Sequence, residues 1–164
     1  MTSYAIVFSS KTGNTRLLAE TIRALLPEGS CAYFGPPCGA VEADAVFCGF
    51  WTDKGTCSGD VAAFLPTLGG KRVFLFGTAG FGGDPAYFEK ILGTVREKLP
   101  ETAKLCGSFA CQGKMPEAVR KRYESMPDSP ARQAMLENFD KALAHPDEAD
   151  LEALREAVKP VLEA

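Results

Sequence analysis

The chain has 164 residues, of which 46% are hydrophobic, and its formal net charge at pH 7 is -3. This length suits one domain, residues 1–164, with a core large enough to fold without disulfides or metals. The mildly acidic balance excludes the electrostatic footprint of a nucleic-acid-binding protein. No apolar run is long enough to span a membrane, and residues 1–3 lead straight into a strand without a signal sequence. We therefore expect a cytoplasmic monomer with no nucleic-acid partner and no membrane partner.

Apolar runs bounded by glycine or proline predict strands, and apolar residues at a spacing of three or four predict helices. In chain order these are a strand at Tyr4–Phe8, a helix at Leu17–Leu26, strands at Cys31–Phe34 and Ala45–Phe50, a short helix at Val61–Leu65, a strand at Arg72–Gly77, a helix at Pro85–Leu99, a strand at Lys104–Ala110, and helices at Met115–Tyr123, Ala131–Ala144 and Asp147–Val161. The alternation indicates an α/β fold with five parallel strands and helices on both faces of the sheet. The segment 115–145 is expected to be a helical excursion of this domain.

The six cysteines contain no Cys-x-x-Cys pair, and the lone histidine, His145, is far from all of them in the sequence. This spacing excludes the usual zinc and iron–sulfur patterns, so we expect no metal site. Cys48 and Cys106 lie in apolar strand runs, where reduced thiols pack as small hydrophobic side chains. His145 precedes a proline at a helix junction, and we interpret it as a cap or surface residue with no catalytic role.

Residues 9–15, with the sequence Ser-Ser-Lys-Thr-Gly-Asn-Thr, connect the first strand to the first helix. The start of a helix offers unpartnered backbone N–H groups and a partial positive charge, and Gly13 lets the backbone approach a phosphate closely. A Walker loop would have its lysine after the glycine, whereas Lys11 precedes it. A low-molecular-weight phosphatase would need a cysteine nucleophile where Ser10 stands. The segment therefore predicts an anion site, and a capped helix start that binds nothing is the alternative.

The motif Ser-x-Thr-Gly-Asn-Thr at the end of the first strand resembles the phosphate loop of flavodoxins, and the resemblance extends from Tyr4 to about Cys111. It implies a doubly wound sheet of strand order 2-1-3-4-5 and a bound FMN cofactor. In such sheets, ligands lie outside the carboxyl ends of the strands, where three loops of this chain meet. The FMN contacts that the resemblance implies are Ser9, Ser10, Lys11, Thr12, Gly13, Asn14, Thr15, Phe50, Trp51, Thr52, Asp53, Lys54, Gly55, Thr78, Ala79, Gly80, Phe81 and Gly82.

FMN has a planar ring that aromatic side chains can contact, and Trp51 and Phe81 are the candidates. Tyr87 is the alternative to Phe81, because it follows Gly82-Gly83-Asp84 much as an aromatic residue does in flavodoxins. Trp51 could instead cover the edge of the sheet. In flavodoxins, a glycine-containing peptide flips when the flavin changes redox state. Gly55 is the corresponding candidate here, since glycine tolerates either orientation.

Three functions are compatible with this sequence. The favoured hypothesis is an electron carrier, not a stand-alone enzyme, in which bound FMN delivers electrons to a partner reductase. The first alternative is an NAD(P)H-dependent quinone or flavin reductase, for which residues 115–145 would have to build a second pocket. The second alternative is a flavin-free interaction module. A response-regulator receiver is disfavoured, because Ser9-Ser10 and Phe50-Trp51 stand where it needs acidic residues.

Three further segments, Phe50–Thr56, Cys111–Lys114 and His145–Glu148, resemble a subgroup of small flavodoxin-like proteins from anaerobes, some of which are associated with bilirubin reductase. This resemblance implies bilirubin reductase as the partner. Typical flavodoxins are strongly acidic and are guided to partners by their negative surface, whereas this chain is only mildly acidic. Lys54 and Lys114 are expected near the flavin edge, where positive charge favours the reduced, anionic form.

Overall fold

The computed structural model describes residues 1–164. Its strands are β1 (Tyr4–Phe8), β2 (Cys31–Gly35), β3 (Ala45–Asp53), β4 (Thr56–Cys57), β5 (Arg72–Ala79) and β6 (Lys104–Gln112). Its helices are α1 (Asn14–Leu25), α2 (Gly59–Phe64), α3 (Pro85–Arg96), α4 (Glu117–Glu124), α5 (Pro130–Ala142) and α6 (Glu148–Glu163), with a 3-10 turn at Leu65–Thr67. No helix among them combines the length and the apolar character that a membrane crossing requires.

The strands form one sheet in the order β2-β1-β3-β5-β6, and every neighbouring pair in that order is parallel. This confirms the predicted order 2-1-3-4-5, with β5 and β6 as its fourth and fifth strands. The strand order reverses between β1 and β3, because β2 lies on one side of β1 and all later strands lie on the other. The carboxyl ends of β1, β3 and β5 are therefore neighbours at one edge of the sheet, at its switch point.

Each face of the sheet is covered by helices, as predicted. One apolar cluster joins alternate residues of β1 and β3, such as Ile6 and Phe47, to α1 and α6. The other cluster joins the intervening residues, such as Val7 and Cys48, to α2 and α3. Side chains alternate along a strand, so a strand buried on both faces reads as a continuous apolar run. That is why β1 could be predicted with its exact bounds.

The end of β3 differs from the prediction. The sequence indicated a loop directly after Phe50, but β3 continues to Asp53 and pairs antiparallel with the two-residue strand β4. Lys54 and Gly55 form the turn with φ values of 52 and 84. Positive φ at both turn residues matches the two-residue hairpin turns whose twist fits the twist of the strands. The segment is therefore a β-hairpin, hereafter the β3–β4 hairpin.

β3 and β5 interlock through two glycine–phenylalanine pairs. Gly49 is opposite Phe76, and Phe50 is opposite Gly77. A Cβ atom added to either glycine would lie 2.2 or 2.3 Å from the facing ring. Both rings are fully buried, one on each face of the sheet. The absent side chains thus leave the space that the two rings occupy.

Residues 113–147 connect β6 to α6 and contain α4 and α5. The Lys114 N–H donates to the His145 carbonyl at 3.1 Å, so the segment leaves and returns at nearly the same point. Tyr123 and Phe139 are the buried aromatic residues of the two helices. Asp147 caps α6 as predicted, through a reciprocal pair of hydrogen bonds with Asp150.

Candidate functional site

A cavity of about 480 Å³ opens at the carboxyl ends of β1, β3 and β5. Its walls come from the first loop (residues 9–15), the β3–β4 hairpin, the end of β5 with the residues after it, and residues 113–123. The residues of the sequence prediction that line this cavity are Lys11, Thr12, Asn14, Trp51, Thr52, Asp53, Lys54, Gly55, Thr78, Ala79, Gly80 and Phe81. Segments far apart in the sequence thus meet as predicted.

The first loop leads into a helix whose N-cap residue has no side chain that could cap it. Gly13 is the N-cap residue of α1 and adopts φ 89. Ser10 Oγ accepts a hydrogen bond from the Arg16 N–H at 3.2 Å, but the backbone N–H groups of Lys11, Thr12 and Gly13 have no protein acceptor. Unpartnered donors at the positive end of a helix dipole favour a bound anion.

Hydrogen bonds from other elements fix the first loop. Thr12 Oγ1 and Asn14 Nδ2 both donate to the Lys114 carbonyl, at 3.3 and 2.8 Å. Thr15 Oγ1 donates to a carbonyl of β3 at 3.2 Å and lies 3.1 Å from the Thr78 hydroxyl of β5. The loop is therefore tied to three neighbouring strand ends before any ligand arrives.

The β3–β4 hairpin contributes an aromatic ring and an unpartnered hydroxyl. Trp51 Nε1 donates to Ser9 Oγ at 3.3 Å, and Lys11 Nζ lies 5.0 Å from the centre of the indole ring. Thr52 lines the cavity, and its Oγ1 is buried without a hydrogen-bond partner. A buried hydroxyl without a partner costs about 1–3 kcal/mol, which a polar ligand group in the cavity would offset.

The segment after β5 is held by side chains from β6 and α5. The Gly80 carbonyl accepts hydrogen bonds from Gln112 Nε2 and from Asn138 Nδ2, each at 3.0 Å. Phe81 follows at the mouth of the cavity, where 43% of its surface is exposed. The fixed carbonyl therefore positions an aromatic ring at the cavity mouth.

A fourth wall, residues 113–123, was missing from the predicted FMN contacts, although Lys114 was expected near the flavin edge. Its lining residues are Gly113, Lys114, Met115, Pro116, Val119, Arg122 and Tyr123. Tyr87 of α3, which the sequence offered as the alternative to Phe81, also lines the cavity, and burial raises the pKa of its hydroxyl. The sequence contained one indication of this fourth wall: the segment directly follows the carboxyl end of β6, and ligands of such sheets bind at the carboxyl ends of the strands.

Residues 5–159 match the family model described as a flavodoxin domain. The chain belongs to the flavodoxin domain family. A curated relative, the flavodoxin-like domain-containing protein BilS of Clostridium symbiosum, is 42% identical over 93% of this chain and 92% of its own length. Flavodoxin 2 from Bacillus cereus has the same fold, with a TM-score of 0.63 at 18% identity over 99% of both chains. A flavoprotein in complex with FMN from Lactobacillus acidophilus matches at a TM-score of 0.54 and 12% identity, over 67% of this chain and 93% of its own.

Some residues of the prediction lie outside the cavity of this flavodoxin domain. They are Ser9, Ser10, Gly13, Thr15, Phe50 and Gly82. The first three line a neighbouring cavity of about 570 Å³, which shares the first loop. Thr15 and Phe50 are buried in the interior. Phe50 packs in the apolar cluster with Val61 and Leu75, whereas Trp51 lines the cavity.

The cysteines at the strand ends are not activated in this flavodoxin domain. Burial raises the pKa of the Cys57 and Cys111 thiols, so the reactive thiolate is scarce near neutral pH. His145 Nδ1 lies 2.7 Å from Asp150 Oδ2, next to the capping box of α6. The histidine thus lies at a helix start, outside the residues that line the cavity.

Proposed function

We propose that this flavodoxin domain binds FMN in the 480 Å³ cavity and carries electrons to a partner reductase. The observation that carries the proposal is one cavity in which an uncapped helix start, the unpartnered Thr52 hydroxyl and the Trp51 indole meet. The helix start suits a phosphate, the hydroxyl needs a polar group, and the indole offers a face for a planar ring. FMN combines these three features in one molecule.

Each wall would have a separate task. Residues 9–15 would hold the phosphate through the free backbone N–H groups of the first loop. Trp51 and either Phe81 or Tyr87 would contact the ring, and the Thr52 hydroxyl would bond to one of its polar atoms. FMN supplies the redox chemistry when bound, while the protein binds it, orients it and excludes water from it.

The charges around the cavity bear on the redox potential. Lys54 and Lys114 line the same cavity as Trp51. Positive charge near the ring stabilises the anionic reduced form more than the neutral oxidised form. We expect the two lysines to raise the potential of the bound flavin.

The partner is the finer part of the proposal. The resemblance of Phe50–Thr56, Cys111–Lys114 and His145–Glu148 to small flavodoxin-like proteins of anaerobes supports a reductase of bilirubin as the electron acceptor. We also propose that residues 1–164 act as one monomeric domain in the cytoplasm. Co-purification of the tagged chain with a bilirubin reductase, and flavin-dependent bilirubin reduction by the mixture, would support the partner assignment.

The fourth wall favours a second candidate, an NAD(P)H-dependent quinone or flavin reductase. Met115, Pro116, Val119 and Tyr123 extend the cavity beyond the three loops that the resemblance assigns to FMN. An apolar wall of this kind could hold a second planar molecule against the flavin. The carrier remains our proposal, because bound FMN is enough to explain the helix start and the Thr52 hydroxyl, and neither feature requires a second bound molecule.

The first test is an FMN titration that follows the fluorescence of Trp51, the one tryptophan of the chain. Thr52→Val should weaken FMN binding about fivefold to tenfold, since a polar contact is lost, while it stabilises the free protein by about 1 kcal/mol, since the unpartnered hydroxyl is removed. Thr21→Val is the control, because the Thr21 hydroxyl bonds to the Leu17 carbonyl on α1, away from the cavity. No quenching, or equal effects of the two variants, would contradict the proposal.

The second test separates the two candidates. The FMN-loaded protein is reduced stepwise without oxygen and then supplied with NADPH and a quinone. A carrier should hold its electrons and show no steady NADPH oxidation. Rapid steady oxidation of NADPH would move the assignment to the reductases.

A further inference from the structure

Charge is distributed unevenly between the cavity and the rest of the protein. The whole chain has a formal net charge of -3. The charged side chains that line the cavity are four cations, Lys11, Lys54, Lys114 and Arg122, and one carboxylate, Asp53. The cavity is therefore a positive region on a protein whose net charge is negative.

None of these four cations is in an ion pair, and three of them lie outside the first loop. No carboxylate lies within 4.0 Å of the side-chain nitrogens of Lys54, Lys114 and Arg122, all of which are exposed. On α6, by contrast, Arg155 pairs with two glutamates and Lys159 pairs with one. The field of the three free cations is thus not cancelled locally and extends into the solvent.

An exposed aromatic ring accompanies these cations. Phe81 lines the same cavity and exposes 43% of its surface. The other large hydrophobic side chains that are exposed, Met1, Leu17, Met126 and Leu143, do not line the cavity. Protein interfaces commonly combine an aromatic anchor with a polar or charged rim.

We infer that the cavity mouth, defined by Lys54, Phe81, Lys114 and Arg122, docks a negatively charged face of a redox partner protein. This inference rests on the proposed function, since a carrier must bring its cofactor close to its partner. Opposite charges steer the encounter and fix its orientation, while the Phe81 ring contributes apolar contact. A protein needs negative charge only where it touches the mouth, whereas an extended polyanion such as a nucleic acid would also meet the negative remainder of the surface.

The first test uses a short poly-L-glutamate of about six residues, which models an acidic protein face and spans at most about 20 Å, with the full chain free of FMN. Binding at low salt is followed by calorimetry for the wild type, Lys114→Glu, Arg122→Glu and Lys104→Glu. Lys104 is the matched control, because it is exposed and begins β6. It therefore lies roughly 26 Å from the carboxyl end of that strand. All three variants change the net charge equally.

The second test measures how fast the reduced, FMN-loaded protein is oxidised by ferricyanide, an anion, and by hexaammineruthenium(III), a cation. Each ion accepts one electron, so two ions are consumed for every fully reduced flavin, and the anionic reduced form releases one proton. If the local charge governs the encounter, added salt should slow the reaction with ferricyanide and accelerate the reaction with the ruthenium complex. The net charge of -3 alone would give the opposite signs.

We expect Lys114→Glu and Arg122→Glu each to reduce poly-L-glutamate binding and the low-salt ferricyanide rate by about tenfold, and Lys104→Glu to change either by less than about twofold. Equal effects of all three variants, or a ferricyanide rate that rises with salt in the wild type, would overturn the docking surface. If FMN does not bind at all, the proposed function fails. The poly-L-glutamate measurement then still decides whether the mouth attracts an acidic polypeptide.

Discussion

Gly77→Ala should destabilise the protein through the interlock between β3 and β5. The added Cβ would lie 2.2 Å from the ring of Phe50, whereas an ordinary van der Waals contact begins at 3.4 Å. The ring is fully buried between β3 and the helices of its face, so it cannot move the missing 1.2 Å without displacing its neighbours. Overpacking of this kind costs about 1–3 kcal/mol. For a chain of this size, the melting temperature should fall by about 2–12 °C.

The measurement is urea unfolding of the wild type, Gly77→Ala and Gly93→Ala. Gly93 is the control, because it lies inside α3 and no atom lies within 4 Å of an added Cβ. Alanine there should stabilise the protein by about 0.5–1 kcal/mol, since it restricts the unfolded chain and favours the helix. A Gly77→Ala protein as stable as the wild type would refute the interlock.

A second-site change tests the mechanism. In a double-mutant cycle, Phe50→Leu should reduce the cost of Gly77→Ala, because the smaller side chain leaves room for the new methyl group. Additive effects of the two changes would show that the ring is not the obstacle.

Three further outcomes are expected. Hydrogen bonds from the backbone N–H and hydroxyl of Ser3 hold the pKa of Asp44 below its ordinary 3.8. The ionised carboxylate therefore stabilises the fold above pH 3.8, and this contribution to stability is lost as the pH falls through the lowered pKa. Asp44→Asn should make stability less dependent on pH in this acidic range. An acid-unfolding curve identical to that of the wild type would contradict this role of Asp44. Iodoacetamide should label the exposed Cys38 long before Cys111, because Cys111 is buried and burial raises the pKa of its thiol. Mass spectrometry of the native protein after increasing labelling times measures this order, and earlier labelling of Cys111 would contradict the prediction. Gly55→Val should narrow the gap between the two one-electron midpoint potentials of the FMN-loaded protein, because valine resists φ 84, whereas unchanged potentials would exclude Gly55 as the flipping residue.

The sheet could be predicted from local patterns because burial on both faces leaves a plain signature. β1 is apolar at every position and is buried at every position. The helix starts at Asp84-Pro85 and Asp147 could be predicted because capping chemistry is local: each aspartate accepts a hydrogen bond from a backbone N–H two or three residues later. These signals need no knowledge of distant contacts.

The site was only partly predictable, because its missing parts depend on distant contacts. The β3–β4 hairpin has no apolar alternation, so its short strand pairs were invisible to periodicity. Met115 and Val119 reach the cavity only because the excursion folds back, with Asn138 of α5 bonded to the Gly80 carbonyl. Phe50 packs into the apolar cluster that α2 and α3 cover, so its burial depends on elements that follow it in the chain.

The hydrogen bond between Lys114 and His145 makes residues 115–144 a separable insert. Because the two ends of the insert nearly meet, a short turn could bridge them at little entropic cost. Members of the family could then exchange this insert for one of another length or charge while the sheet, the first loop and the hairpin keep their positions. Grafting the segment onto a related flavodoxin domain would replace only the fourth wall of the cavity, to which Met115, Val119 and Tyr123 belong, and would leave the other three walls in place.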